Sequence, residues 1–400
     1  MQHSMEKQSS KTIPIFIAAV CFITNISQMP VLVENSLTRA ISIPIWILLL
    51  AVLILEKRII FNRLPVFAVF ICWILFSYIM ILDIVTDKSY LSIALLYPFY
   101  LSFTIFFIGI FLSQLLTYDD FPILINSYII SALIVAINIF GQYIIGDDIY
   151  GKIYIYGSKN SISQILITAL VFLLVINKHK SKLFMNSIKY LGALFLIVVL
   201  FFLKSRASII GIPVIVAIIL GLGEKQYKLK KVIIGGIVIF SIFMLNDSFY
   251  NIIINQVLGG GREWSNLNDI SSGRYYEWKM FPHLLKMSEL FGIGRYKIES
   301  YPLSVILQFG IPMGGLLIIT AIWPAWWGIK KLNKSEPVNV AFIIIAILYF
   351  INGLFEQLAP FGPGTKCYML WLMFGILYGN IYVNKRKNAI NHNSMKYKRY

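Results

Sequence analysis

Apolar stretches of about 20 residues, each long enough to cross a bilayer as a helix, recur from one end of this chain to the other. They are divided by short clusters of charge or by groups of Gly, Pro and Asn. Dividing the chain at those interruptions gives about twelve spans, near residues 13–29, 40–55, 64–82, 91–116, 121–145, 162–176, 190–203, 208–222, 232–245, 303–323, 338–355 and 367–383. The fold class expected is therefore all-α, a polytopic membrane bundle. Composition agrees. The chain is 58% hydrophobic and only 13% charged, with a mean hydropathy of +0.77, whereas a soluble domain of this size carries roughly twice that fraction of charge.

The net charge of +17 does not point to nucleic acid, because the cations sit in short clusters between apolar runs. That is where the positive-inside rule puts them. With a cytoplasmic N-terminus, the inside segments hold Lys57, Arg58 and Arg63, then Lys178, Lys180 and Lys182. They continue with Lys225, Lys228, Lys230 and Lys231, then Lys330, Lys331 and Lys334, and end in the Lys- and Asn-rich tail. Both termini are then cytoplasmic and one long polar interval faces outward. The organisation expected is spans 1–9 in residues 1–245, an outward loop with an amphipathic helix in 246–302, spans 10–12 in 303–383, and a basic cytoplasmic tail in 384–400. The first span follows Lys7 and Lys11 without a small-residue cleavage site, so it is expected to be retained. Cys21, Cys72 and Cys367 all lie inside apolar runs and read as small membrane-buried side chains.

Four outward clusters carry the polar chemistry. Lys159 and Asn160 open the sixth span, and Lys204-Ser205-Arg206 sits between two apolar runs with almost no loop. A charge held that close to hydrocarbon costs roughly 2–3 kcal/mol on insertion scales unless it snorkels or faces a polar cavity. A snorkelling end cap is thus the alternative reading for both. In the long loop, Gly259-Gly260-Gly261-Arg262 is followed by Ser272-Gly273-Arg274. Then comes an amphipathic segment with Trp278, Phe281, Leu284, Leu285 and Leu290, expected along the membrane surface, with packing of its apolar residues on the bundle as the alternative. The fourth cluster is Gly292-Ile293-Gly294-Arg295 with Glu299-Ser300, where glycine lets backbone approach a ligand closely. Glu299 is a candidate base, and its alternative is an ion pair with Arg295 four residues earlier.

Guanidinium forks at the outer face suit phosphate oxygens, each charge-assisted bond contributing roughly 1.5–3 kcal/mol. A lipid-linked pyrophosphate is the partner such groups fit. No His-Glu-x-x-His, no Gly-rich phosphate loop before a lysine and no Gly-x-Ser-x-Gly elbow is present. His3, His179 and His392 fall on the cytoplasmic side and His283 in the amphipathic segment, so no metal site and no cofactor are expected.

Leu203-Lys-Ser-Arg206-Ala-Ser, Ser272-Gly273-Arg274 with Trp278, Phe291-Gly-Ile-Gly294, and Leu303 with Gly310-Ile-Pro312 together resemble the O-antigen polymerase and O-antigen ligase superfamily. The resemblance covers residues 159–312. It implies a membrane-embedded, metal-independent, inverting glycosyltransferase that uses polyprenyl-diphosphate sugars. Arg206 and Arg274 match the superfamily's arginines and would bind the donor's pyrophosphate and stabilise its leaving charge. Lys159, Asn160, Lys204, Arg262 and Arg295 are the further substrate-binding candidates. Where ligases of this superfamily carry a His-Asn pair, this chain has Glu299-Ser300, which turns the reading toward the polymerase branch.

The expectation is an O-antigen polymerase of the bacterial inner membrane that takes undecaprenyl-diphosphate-linked oligosaccharide as both donor and acceptor. Membrane lipids, a chain-length regulator and a flippase would be its partners, and nucleic acid would not. The alternatives are the ligase that moves the finished chain to lipid A core and, from another class, a flippase for the same lipid-linked sugar. A flippase should carry charge along a cavity within its spans, and these spans are nearly free of it.

Overall fold

Small and polar residues at helix faces draw these helices together, because lipid gives apolar faces no reason to leave it. A computed structural model describes residues 2–29, 32, 41, 43–55, 66–86, 93–116, 120–144, 159–176, 183–203, 205–221, 234, 245–251, 255, 268, 271, 273–294, 296, 298–357, 359–362 and 366–381. They form α1 (Gln2–Ile26), α2 (Pro44–Leu55), α3 (Val66–Thr86), α4 (Ile93–Leu112), α5 (Phe121–Ile144), α6 (Lys159–Val175), α7 (Leu183–Phe202) and α8 (Arg206–Gly221). After a short turn of helix, Asp247–Asn251, come α9 (Arg274–Leu285), α10 (Tyr301–Lys331) and α11 (Pro337–Gly353). The last is α12 (Tyr368–Ile381). There is no strand among the described residues. The span expected at 232–245 lies almost wholly outside them.

α1 lies along α5 and is held there by polar bonds, Ser127 Oγ to the Ala18 carbonyl at 2.5 Å and Asn25 Nδ2 to Ser131 Oγ at 2.9 Å. α6 contacts α5, α7, α8 and α11, and α11 also contacts α8 and α10. The most enclosed helix is α12, buried from Cys367 through Tyr378. Its Trp371 donates Nε1–H to the Pro360 carbonyl at 2.9 Å, and its Phe374 touches Phe106, Trp323, Trp327 and Phe342.

Gly375 and Gly379, spaced four apart on α12, meet Gly109 of α4 and Ser113 just past its end. A Cβ at Gly375 would run into the Phe106 carbonyl and lie 2.8 Å from the Gly109 Cα. The helices are therefore in backbone contact. Gly375→Leu is expected to destabilise the protein by about 3 kcal/mol through overpacking. Gly141→Leu, at a position with nothing within 4 Å, should change little, and equal thermal midpoints for the two variants in detergent would remove the role given to this contact.

The outer helices show large apolar side chains to their surroundings, among them Leu48 on α2, Trp73 and Phe76 on α3, Leu191 and Leu194 on α7, and Ile319 and Trp326 on α10. So much exposed apolar surface around an apolar core is what a bilayer covers. Phe121–Tyr143 and Tyr301–Lys331 are each long and apolar enough to cross a membrane, and the other apolar helices are shorter. α10 runs to Lys331, past the expected end at 323, because Pro324 is accommodated inside it and only Lys330 and Lys331 close it.

α10 is broken at Gly310, where φ is 79° and ψ 171°. Residues of the preceding loop fill the break. Ile293 N–H donates to the Leu307 carbonyl at 2.7 Å and Ile311 N–H to the Glu289 carbonyl at 2.8 Å. Tyr78 on α3 reaches both the Phe309 carbonyl at 2.7 Å and the Leu290 carbonyl at 2.8 Å. A phenol has one proton, so it serves one carbonyl at a time. Gly292, also at positive φ, lets its backbone lie against that of Gln308 and Gly310. This corrects one expectation: the amphipathic segment ends as helix at Leu285, with Leu290 belonging to the docked loop. Gly292 brings backbone to the α10 break.

Candidate active site

The first turns of α6, α8, α10 and α12 and the last turn of α11 meet at one end of the bundle. Ser163 of α6 bonds Ser205, at the start of α8, at 2.8 Å and Ser208 at 2.6 Å. Thr168 of α6 bonds Tyr349 of α11 at 2.9 Å. The Cys367 thiol donates to Gln164 Oε1 at 3.4 Å, and Tyr301 lies beside Gly353. These contacts bring the Lys159 and Arg206 positions to one end of the molecule. Both side chains are half-buried.

Arg274 joins them from the loop. It is the first residue of α9, preceded by Gly273 at φ 87°. Gly273 has no side chain to cap the helix, so its neighbours do so. Ser271 Oγ accepts from Tyr275 N–H at 2.9 Å and Asn268 Oδ1 from Tyr276 N–H at 3.1 Å, satisfying two of the orphan donors of the first turn. So anchored, the guanidinium turns back to the bundle. Nη2 lies 2.5 Å from Glu299 Oε2 and 3.2 Å from the carbonyl of Phe355, which follows α11. Nη1 makes a longer contact, 3.4 Å, with the Ser271 carbonyl.

The two charges differ in environment. The Arg274 side chain is 13% exposed and that of Glu299 57%. The pair is therefore anchored at the arginine and open at the carboxylate, and with one partner in water it contributes on the order of 1 kcal/mol or less to stability. Glu277, on the next turn of α9, accepts the Glu299 backbone N–H at 3.0 Å and so fixes where that carboxylate starts. Arg274 Nε is buried without a partner.

Lys159, Arg206 and Arg274 each open a helix, α6, α8 and α9. A cation there opposes the macrodipole, an unfavourable term of roughly 0.3–1 kcal/mol. Helix stability thus gives no reason for these residues. Cation and helix N-terminus both attract an anion, and an anion at this end of the bundle would be held by both.

From the sequence, Glu299 is a candidate base or the partner of Arg295, and no carboxylate is named for Arg274. Glu299 pairs with Arg274 across 25 positions, a contact that only the fold creates. Lys204, Arg262 and Arg295 and the side chain of Asn160 lie outside the described residues. Three residues at this end were not singled out from the sequence. Glu277 stands three residues from Arg274 on the same helix, a spacing that gives a usable signal. Lys366 is 5% exposed in the short connection before α12. It is a cation in a short connection between apolar runs, and the cost of holding a charge there is a usable signal. Asn352, buried in the last turn of α11, is an amide inside an apolar run.

Compared with known proteins, residues 191–317 match the O-antigen ligase family model, from within α7 to within α10. The matched stretch includes Arg206, Arg274, Glu299 and the Gly310 break. No curated protein and no solved structure matches significantly. The apolar helices and this match together point to a helical membrane protein. The match supports the likeness to the O-antigen polymerase and ligase superfamily that the motifs suggest.

Proposed function

We propose that this protein is a surface-polysaccharide polymerase of the O-antigen type, joining undecaprenyl-diphosphate-linked oligosaccharide repeat units at the periplasmic face of the inner membrane. The observation that carries the reading is Arg274 at the start of α9, anchored to Phe355 and paired with a half-exposed carboxylate inside the stretch that matches the family. Both termini are cytoplasmic in this reading, so the end of the bundle holding Arg274 faces outward.

The donor is the growing chain on its polyprenyl diphosphate, and the acceptor is a newly arrived repeat unit. The donor's diphosphate competes with Glu299 for Arg274, since a guanidinium fork fits phosphate and carboxylate oxygens alike. The released Glu299 is then positioned to take the proton of the attacking acceptor hydroxyl. That oxygen forms its bond to the anomeric carbon from the face opposite the diphosphate. The anomeric C–O bond breaks, its electron pair leaves with undecaprenyl diphosphate, and Arg206, Arg274 and Lys159 stabilise the charge. Configuration inverts, and no metal takes part. A flippase would deliver the repeat unit, and a chain-length regulator would set when synthesis stops.

The description of the matched family favours a second reading, a ligase that moves the finished chain to lipid A core. Against it stands the absence of any histidine between His283 and His392. The polysaccharide profile of a deletion strain separates the two. Loss of a polymerase leaves lipid A core capped by a single repeat unit, because ligation continues. Bare core with long chains accumulating on the polyprenyl carrier would make the protein a ligase, and repeat units retained on the cytoplasmic side would make it a flippase.

A further inference from the structure

Below Arg274, toward the interior of the bundle, lie two amides with unused hydrogen-bonding atoms. Asn352 is 5% exposed, and neither its Oδ1 nor its Nδ2 has a partner. Gln164 is 2% exposed; its Oε1 accepts from the Cys367 thiol, while its Nε2 has no partner. They share a depth. Thr168 and Tyr349 are bonded across α6 and α11, and Gln164 is one turn from Thr168 toward the site end, as Asn352 is from Tyr349. Arg274 is close by, because the Phe355 N–H donates to the Asn352 backbone carbonyl at 3.0 Å while the Phe355 carbonyl holds the guanidinium. Lys366, buried beside Cys367, has its carbonyl 3.4 Å from the Tyr349 hydroxyl.

A buried amide left without partners is destabilising, and an apolar side chain of the same shape would serve packing better. Two of them on facing helices, beside a third unused donor, Arg274 Nε, call for something that accepts hydrogen bonds. We propose that Gln164 and Asn352 form a second binding element for the glycosyl diphosphate donor, lying deeper than Arg274. The proposal rests on the polyprenyl-diphosphate reading given above. The Nε2 and Nδ2 groups donate to phosphate oxygens that Arg274 does not reach. The Asn352 Oδ1, an acceptor that phosphate leaves unused, takes a hydroxyl of the first sugar. The arginines hold the diphosphate by charge, and the amides fix its orientation.

The test uses the purified full-length chain in detergent, with undecaprenyl diphosphate as probe and undecaprenol as the control for its tail. Asn352→Leu and Gln164→Met keep the shapes and remove the unused donors. Each is expected to weaken undecaprenyl diphosphate binding about tenfold or more, the usual value of a lost bond to a charged group. Undecaprenol binding should not change. The thermal midpoint of the unliganded protein should stay the same or rise, since an unsatisfied group has been removed. Undiminished diphosphate binding in both variants overturns the proposal, and so does a lower midpoint, which would mark the amides as structural. A wild-type chain that is folded yet binds no undecaprenyl diphosphate would instead sink the underlying reading of the donor.

Discussion

Replacing Arg274 with alanine removes long polysaccharide from the cell while the protein still reaches its membrane at the normal level. The two halves of this result have separate causes. The fold tolerates the change because the partner left behind, Glu299, is more than half exposed and keeps its hydration. The reaction does not, since truncating one pre-positioned donor to a developing charge typically costs about 10²–10³ in rate. Arg274→Lys remains impaired. A lysine ammonium can replace Nη2 between Glu299 and the Phe355 carbonyl, but it has no Nη1 or Nε and so cannot offer the planar fork to a diphosphate. Arg206→Ala gives the same phenotype from the start of α8. Glu299→Gln behaves differently, losing polymer while donor binding holds or tightens, because Arg274 is relieved of its competing carboxylate. Polymer ladders on gels, read against membrane levels, check all four. Normal length distributions for Arg206→Ala, Arg274→Ala and Arg274→Lys would reduce both arginines to end caps that merely reach for water.

Gly310→Val is expected to remove the protein itself. The position has φ 79°, where a β-branched residue is strained, and a Cβ there would collide with the Leu290 carbonyl. The side chain also displaces the loop whose Glu289 and Ile293 complete the broken helix. Strain, collision and lost hydrogen bonds together come to about 4 kcal/mol or more, the range in which a marginally stable fold fails. Gly315→Val on the same helix, with open space around it and ordinary backbone, should accumulate normally. Equal membrane levels for the two variants would show that the break can close without harm.

Much of the bundle was legible in the sequence, because hydrocarbon imposes length and composition on whatever crosses it. The run at 121–145 became α5, and that at 338–355 became α11, each within about two residues at either end. Local chemistry was legible too, with Ser-Gly-Arg starting a helix at Arg274 as its residue types suggest. Legibility ended where contact depends on tertiary approach. Gly292 stood in a glycine cluster of the loop and Gly310 inside an apolar span, but they are two sides of one backbone contact. The partner of Arg274 comes from beyond α9, and a search limited to neighbours within one helical turn could not reach Glu299. Asn352 and Gln164 were passed over because single amides scarcely alter the hydropathy of a long apolar run.

The break in α10 also has a consequence for how the chain is made. A helix entering lipid with open backbone groups at Phe309 and Ile311 carries a penalty of several kcal/mol for each group left bare. The loop that answers most of them is synthesised just before α10 and is at hand at once. Tyr78 is not so near, being separated from Phe309 by 231 positions. Its helix must already stand in the membrane, with its hydroxyl turned inward, when α10 leaves the translocation machinery. Biogenesis therefore has an order, in which α3 serves as a docking post for a helix made much later. Damage to α3 should surface as failed insertion of α10.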